Sequence, residues 1–215
     1  MAPYLQAAAG DLTDALRLYH WNIEMSGATY EALHTFEVVL RNAMDEQLCR
    51  WNATQLNRDN GRQHGPDWLT DPSRLLRRLT RDDIGKAIGR AQRALRIQGG
   101  RRRTLTHGDI VAQLNLGTWR FLLPDHDPGR QRLWADSLSA AFPYLVGSPT
   151  DLVTEVDQIY RLRNRVAHLE PLLISPILET RFRQVRAVLV AISPDVESWF
   201  VSRQRMTSVI RSRPF

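Results

Sequence analysis

GATYEALHTFEVVLRNAMDEQLCRWNATQL, residues 27–56, sets its apolar side chains at helical spacing. Tyr30, Leu33, Phe36, Leu40, Met44, Leu48 and Trp51 fall on one stripe, the pattern of a helix that buries one face. Working outward, no run of alternating β-branched residues interrupts the chain. Proline placement points the same way. Asp71-Pro72, Asp127-Pro128, Ser148-Pro149, Ser175-Pro176 and Ser193-Pro194 each set a capping residue before a proline suited to a first helical position. The expected fold is all-α, with helices near 11–25, 27–56, 72–79, 81–98, 107–123, 129–141, 149–169, 176–192 and 194–210. The most economical architecture bundles 27–56, 149–169 and 176–192, with about 60–140 as a helical insertion or flank. At 215 residues, a single domain over 1–215 accommodates both parts.

Net charge is +6, and Lys86 is the only lysine, so arginine carries almost all the positive charge. The guanidinium fork binds phosphate oxygens in two places, which suits an anionic partner; genomic base composition explains the same bias equally well. Gly99-Gly100-Arg101-Arg102-Arg103 reads as a basic, solvated loop. A single cysteine, Cys49, has no partner for a disulfide or a cysteine-based zinc site and reads as a small core residue. No charged-then-apolar leader opens the chain and no apolar run reaches spanning length, so a cytoplasmic location is expected.

Helix 149–169 carries a second apolar stripe through Leu152, Val153, Val156, Ile159, Tyr160 and Val166. At about 100° per residue, Arg163 falls near the centre of that stripe, and Glu37 falls inside the stripe of 27–56. A buried charge without a partner is costly. One resolution pairs Glu37 with Arg163. Another has Arg163 line a pocket or subunit interface where a phosphate completes its shell, with Glu37 orienting it. On the opposite side of helix 149–169 lie Asp157, Arg161, Asn164 and His168. Arg163 and His168 are thereby about 140° apart, awkward for joint chemistry. Pro171 disfavours helical geometry at Glu170, so a helix end distorted around His168 relieves the separation; a site shared across a dimer does so too.

Imidazole is the side chain that titrates near neutrality, and beside guanidinium groups it moves protons next to a phosphate. That combination suits metal-independent cleavage of RNA. One imidazole takes the proton of a ribose 2′-hydroxyl as it attacks the adjacent phosphate, and another protonates the leaving oxygen. An arginine stabilises the charge developing at phosphorus. Two histidines fit better than one, which argues for two copies of His168 in a dimer. His20, His34, His64, His107 and His126 show no metal-type spacing, so no metal or other cofactor is expected; His34, beside the Glu37 face, is a weak supporting candidate. His107-Gly108-Asp109 reads as a helix start without a catalytic partner. No P-loop, dinucleotide fingerprint or G-x-S-x-G elbow is present.

Arg163-Asn164-Arg165-Val166-Ala167-His168 resembles the R-x(4–6)-H motif of the HEPN ribonucleases. The longer phrase RLRNRVAHLEP, residues 161–171, resembles their Abi-like, abortive-infection branch. LYHWNIEMSGATYEALHTFEVVLRNAMDEQL at 18–48 and GDIVAQLNLGTWRFLL at 108–123 agree with that branch, in the right order along most of the chain. The resemblance implies an all-α HEPN-like bundle, a homodimer and metal-independent endoribonuclease activity of a toxin type used against phage. It carries a catalytic role to Arg163, Asn164 and His168, and the acidic position of the first long helix to Glu37, within FEVVLRN. Glu37, Arg41, Arg161 and Arg165 are expected in supporting or RNA-binding roles. The expected partners are an RNA substrate, a second copy of the chain and an antitoxin RNA or protein, with no membrane. Many relatives carry a second histidine where this chain has Leu169. The alternatives are a non-catalytic HEPN protein that binds RNA or regulates, and a purely structural bundle in which Arg163 is a buried pairing residue.

Overall fold

The computed structural model describes residues 1–97 and 104–215; the Gly99–Arg103 stretch expected as a basic loop lies outside them. Among the described residues every regular element is helical, apart from one isolated antiparallel bridge between Leu56 and Gln63. The all-α expectation is met. Helix α1 spans Ala2–Ala7, and α2 runs unbroken over Leu12–Asn52. Then come α3 (Arg74–Thr80), α4 (Asp83–Ile97), α5 (His107–Val111), α6 (Leu116–Leu122) and α7 (Pro128–Asp136), with a 3-10 turn at Leu138–Ala141. The chain ends with α8 (Pro149–Ala167), α9 (Ser175–Ile192), α10 (Pro194–Arg203) and α11 (Met206–Arg211).

Several boundaries differ from the sequence reading. The expected break before residue 27 is absent. Gly27 costs about 1 kcal/mol inside a helix, which the burial of Met25, Ala28 and Ala32 around it outweighs. The stretch 107–123 divides because Thr106 and Asp109 form a capping box for α5, and Asn115 then caps α6 through the Thr118 amide. Likewise 194–210 divides where Gln204 turns its side chain to accept from the Thr207 amide. Asp127 and Ser193 cap α7 and α10 as expected, and Ser148 shares a capping box with Asp151 at the start of α8. Asp71-Pro72 does not cap a helix. The Asp71 carboxylate accepts instead from the Gly65 amide and bonds the ring of His64, and α3 starts after Ser73. Ser175 already lies inside α9, whose N-cap is Ile174.

The chain forms two compact units. The first takes Met1–Val38, Tyr144–Gly147 and Thr154–Phe215. Its core includes Leu18, Trp21, Met25, Phe36, Val156, Ile159, Val185, Val188, Leu189 and Phe200. Trp21 Nε1 donates to the Val209 carbonyl at 2.7 Å, and the buried Asn22 side chain accepts from the Leu172 amide at 2.7 Å. Those two bonds tie the last helix and the chain after α8 to α2, satisfying groups that burial would otherwise strand.

The second unit takes Val39–Pro143 and Ser148–Val153, so the 60–140 segment lies within it together with the rest of α2. Leu40, Met44, Leu48, Trp68, Leu76, Leu116, Trp119, Leu122 and Leu133 fill its core. Trp68 and Trp119 meet edge to face at 6.1 Å. The fully buried Asn52 side chain donates to the carbonyls of Gly65 and Asp71 and accepts from the Ser73 amide, fastening the loop before α3 to the end of α2. In the long-helix stripe, Leu33, Phe36, Leu40, Met44, Leu48 and Trp51 are buried as expected, but Tyr30 is 64% exposed.

Candidate functional site

In α8 the buried face runs through Leu152, Val156, Ile159, Leu162 and Val166. Leu162, not Arg163, continues the stripe, because it sits about one helical turn from both Ile159 and Val166. Arg163 is half-buried at the margin of that face, as are Val153, Tyr160, Asn164 and Arg165. Glu37 is also half-buried and is engaged in an interaction within the fold. Neither residue is a fully buried core charge.

Helix α8 does not distort at His168. The His168 amide still bonds the Asn164 carbonyl at 2.9 Å, in the ordinary helical register. Leu169 then turns into the left-handed region at φ 56°. Its amide bonds the Val166 carbonyl, and the Glu170 amide reaches back to Arg165, the pair of bonds of a Schellman ending. A regular helix up to this cap leaves Arg163 and His168 about 140° apart, so the expectation of a bent helix end is corrected. His168 stands exposed at the cap, with Asn164 one turn before it.

The structure groups a different set of guanidinium groups. Arg161, Arg165 and Arg181 line a cavity of about 250 Å³ in the first unit, over a floor that includes Leu162, Leu172 and Ile177. Arg161 donates to Asp157 at 2.8 Å. Arg165 donates to the Pro171 carbonyl at 2.7 Å and stands 3.4 Å from Glu170. Burial, and then the like charge of Arg161, hold Arg181 below its ordinary value. An anion in this cavity relieves that repulsion, and its apolar floor suits the flat part of an attached group. Neither Arg163, Asn164 nor His168 lines it. Arg41 belongs to the second unit and is half-buried, with its Nε lacking a hydrogen-bond partner. His34 is exposed on α2.

A second constellation went unread in the sequence. In the second unit, His107 opens α5 against the face of α2 that carries Asp45 and Cys49. Its Nε2 lies 3.0 Å from both Asp45 carboxylate oxygens and 3.6 Å from Cys49 Sγ. Its Nδ1 lies 2.7 Å from Asp67 Oδ1, and Trp68 Nε1 donates to Asp45 at 2.8 Å. The hydrogen bond to Asp45, followed by that to Cys49, pushes the His107 imidazole up to about 11. Cys49 is half-buried beside polar groups, not the small core residue expected. His107 is correspondingly more than a helix start. The one hint in the sequence is Asp45-x-x-x-Cys49, four apart on one helix face. Nothing local says that His107 will meet them.

Comparison with known proteins returns no match: no family model, no curated protein and no solved structure matches the chain. No described helix is long and apolar enough to cross a membrane.

Proposed function

We propose that this chain is a metal-independent endoribonuclease of the HEPN, Abi-like kind, a toxin-type protein of phage defence that acts in the cytoplasm as a homodimer. The observation that supports the reading is that the last turns of α8 carry both an exposed His168 and two arginines, Arg161 and Arg165, which with Arg181 line a cavity that His168 itself does not enter. The guanidinium groups hold RNA phosphates, and the apolar floor takes part of a sugar or base. His168 of one copy accepts the 2′-hydroxyl proton as the oxygen attacks the neighbouring phosphorus, while His168 of the other protonates the leaving 5′-oxygen. Arg163 stabilises the developing charge on the phosphate oxygens, Asn164 orients the scissile phosphate, Glu37 orients Arg163, and Arg41, in the second unit, serves RNA binding. The products are a 2′,3′-cyclic phosphate and a 5′-hydroxyl end. An antitoxin RNA or protein restrains the activity.

The separation of Arg163 from His168 on a regular helix makes a second copy a requirement of this mechanism. Helix α2 offers a surface for it. Leu12, Leu16, Tyr19 and Ile23 are exposed along one line at spacings of four and three residues, with Tyr30 seven residues further on the same line, on a different side from the buried Ala15, Leu18 and Met25. Such a seam extends about 27 Å and suits packing against the same helix of a second copy.

A second reading, an RNA-binding protein that does not cut, is favoured by the arginine cavity's standing complete without His168. RNA incubated with the chain in excess chelator separates the two. Cleavage to cyclic-phosphate ends is expected, with DNA of the same sequence untouched. His168→Ala is expected to lower the rate about 100-fold or more, and Arg163→Ala comparably. Arg161→Ala, Arg165→Ala and Arg181→Ala are each expected to weaken RNA binding and to reduce its salt dependence by about one phosphate contact. Binding without cleavage by the unchanged chain supports the second reading, and cleavage that survives His168→Ala removes this residue from the mechanism.

A further inference from the structure

Asp45, Cys49 and His107 bring an oxygen, a sulfur and a nitrogen donor together in the second unit, each offering one ligand atom and all within 4.8 Å of one another. With Zn–S bonds of about 2.3 Å and Zn–N and Zn–O bonds of about 2.0–2.1 Å, a tetrahedral ion holds sulfur and nitrogen about 3.5 Å apart, and nitrogen and oxygen about 3.3 Å apart. The observed separations are 3.6 Å from Cys49 Sγ to His107 Nε2 and 3.0 Å from that nitrogen to Asp45. Cys49 Sγ and Asp45 Oδ1 stand 4.0 Å apart, so closing on an ion asks for a shift of about half an ångström at the far end of one side chain.

The surroundings carry the argument past proximity. Metal-binding histidines characteristically donate their other ring N–H to a carboxylate, which fixes the tautomer and aims the free nitrogen. Asp67, 2.7 Å from Nδ1, occupies that place and leaves Nε2 directed at Asp45 and Cys49; without an ion that nitrogen holds a proton on Asp45, which a bound cation displaces. Asp45 is itself held by Trp68 Nε1, so the carboxylate has the supporting hydrogen bond expected of an oriented ligand. Access is available, since the His107 side chain is 26% exposed.

We propose that Asp45, Cys49 and His107 form a binding site for a zinc-class divalent cation, with Asp67 positioning the imidazole. Thiolate and imidazole donors select this class over magnesium and calcium, which take oxygen ligands in larger number. Three protein ligands leave a fourth position for water, the pattern of an open zinc site. The ion links α5 and the Asp67–Trp68 loop to α2, all inside the second unit. The site does not rest on the ribonuclease reading, whose chemistry runs without metal.

The test uses the tag-free full chain, stripped with chelator, dialysed and titrated with Co²⁺ and then Zn²⁺. One Co²⁺ per chain is expected, with a sulfur-to-cobalt charge-transfer band and tetrahedral visible bands that Zn²⁺ abolishes at equal stoichiometry. Cys49→Ser is expected to lose the charge-transfer band while matching the stripped wild-type chain in circular dichroism and thermal transition. His107→Gln and Asp45→Asn are expected to weaken binding by more than about 100-fold, and Asp67→Asn by about 10–100-fold with the band retained. Absence of stoichiometric binding by the folded wild-type chain, or a charge-transfer band that persists in Cys49→Ser, overturns the proposal. Either failure leaves RNA cleavage in chelator unaffected, so the two readings are judged apart.

Discussion

Leu169 holds a backbone conformation that leucine seldom takes, at φ 56°, and the residue is 85% exposed. For an L-residue with a Cβ, the left-handed region costs about 1–2 kcal/mol, and glycine is the usual occupant of this position in a Schellman ending. The exposed side chain regains little by burial. Glycine's greater freedom in the unfolded chain offsets part of the relief, so Leu169→Gly is expected to stabilise the protein by about 0.5–1 kcal/mol. Urea unfolding checks this, through a higher midpoint at unchanged slope. The strain falls beside His168, the residue on which the proposed chemistry turns. Leu169→Gly therefore also tests whether a strained cap matters to cleavage, as a change in rate larger than the change in RNA affinity.

Among the elements, α7 shows how a short helix is held by its first residue. Asp127 accepts from the amides of Gly129 and Arg130 and takes two bonds from Arg78, at 2.7 and 2.8 Å. The Arg78 guanidinium, helped by those amides, holds its carboxyl well below the usual aspartate range. The contribution of this carboxylate is thus present above the ordinary aspartate range and is lost as pH falls toward the lower folded value. Asp127→Asn keeps a good cap and removes the charge, so its acid unfolding is expected to be less steep than the wild-type chain's. At α10, Ser193 caps through the Val196 amide, and Ser193→Ala is expected to cost about 1 kcal/mol in thermal or urea unfolding. Both caps were legible because the capping side chain acts on its own next turn. Asp71 misled for the opposite reason: its carboxylate is drawn to His64 and Gly65, and the following helix starts without it.

At the scale of the whole molecule, the proposed chemistry needs two chains. If both copies of His168 serve one site, random exchange in an equimolar mixture with His168→Ala leaves about a quarter of the dimers with two intact histidines. Activity is then expected to fall to about a quarter, where independent sites give about half. Ile23→Glu, in the middle of the exposed α2 seam, is expected to shift the chain toward monomer in sedimentation equilibrium and to lower cleavage with it. Helix periodicity and local caps are properties of neighbouring residues, so the all-α class, the buried stripe from Leu33 to Trp51 and the starts of α7, α8 and α10 follow from the amino-acid order alone. The same periodicity dictated that Arg163 and His168 lie apart on one helix. Folding decided that Leu162 takes the buried place, that Arg181 joins Arg161 and Arg165 around a cavity, and that His107 meets Asp45 and Cys49. Those outcomes join residues far apart in the chain, and only packing determines which distant side chains share a space.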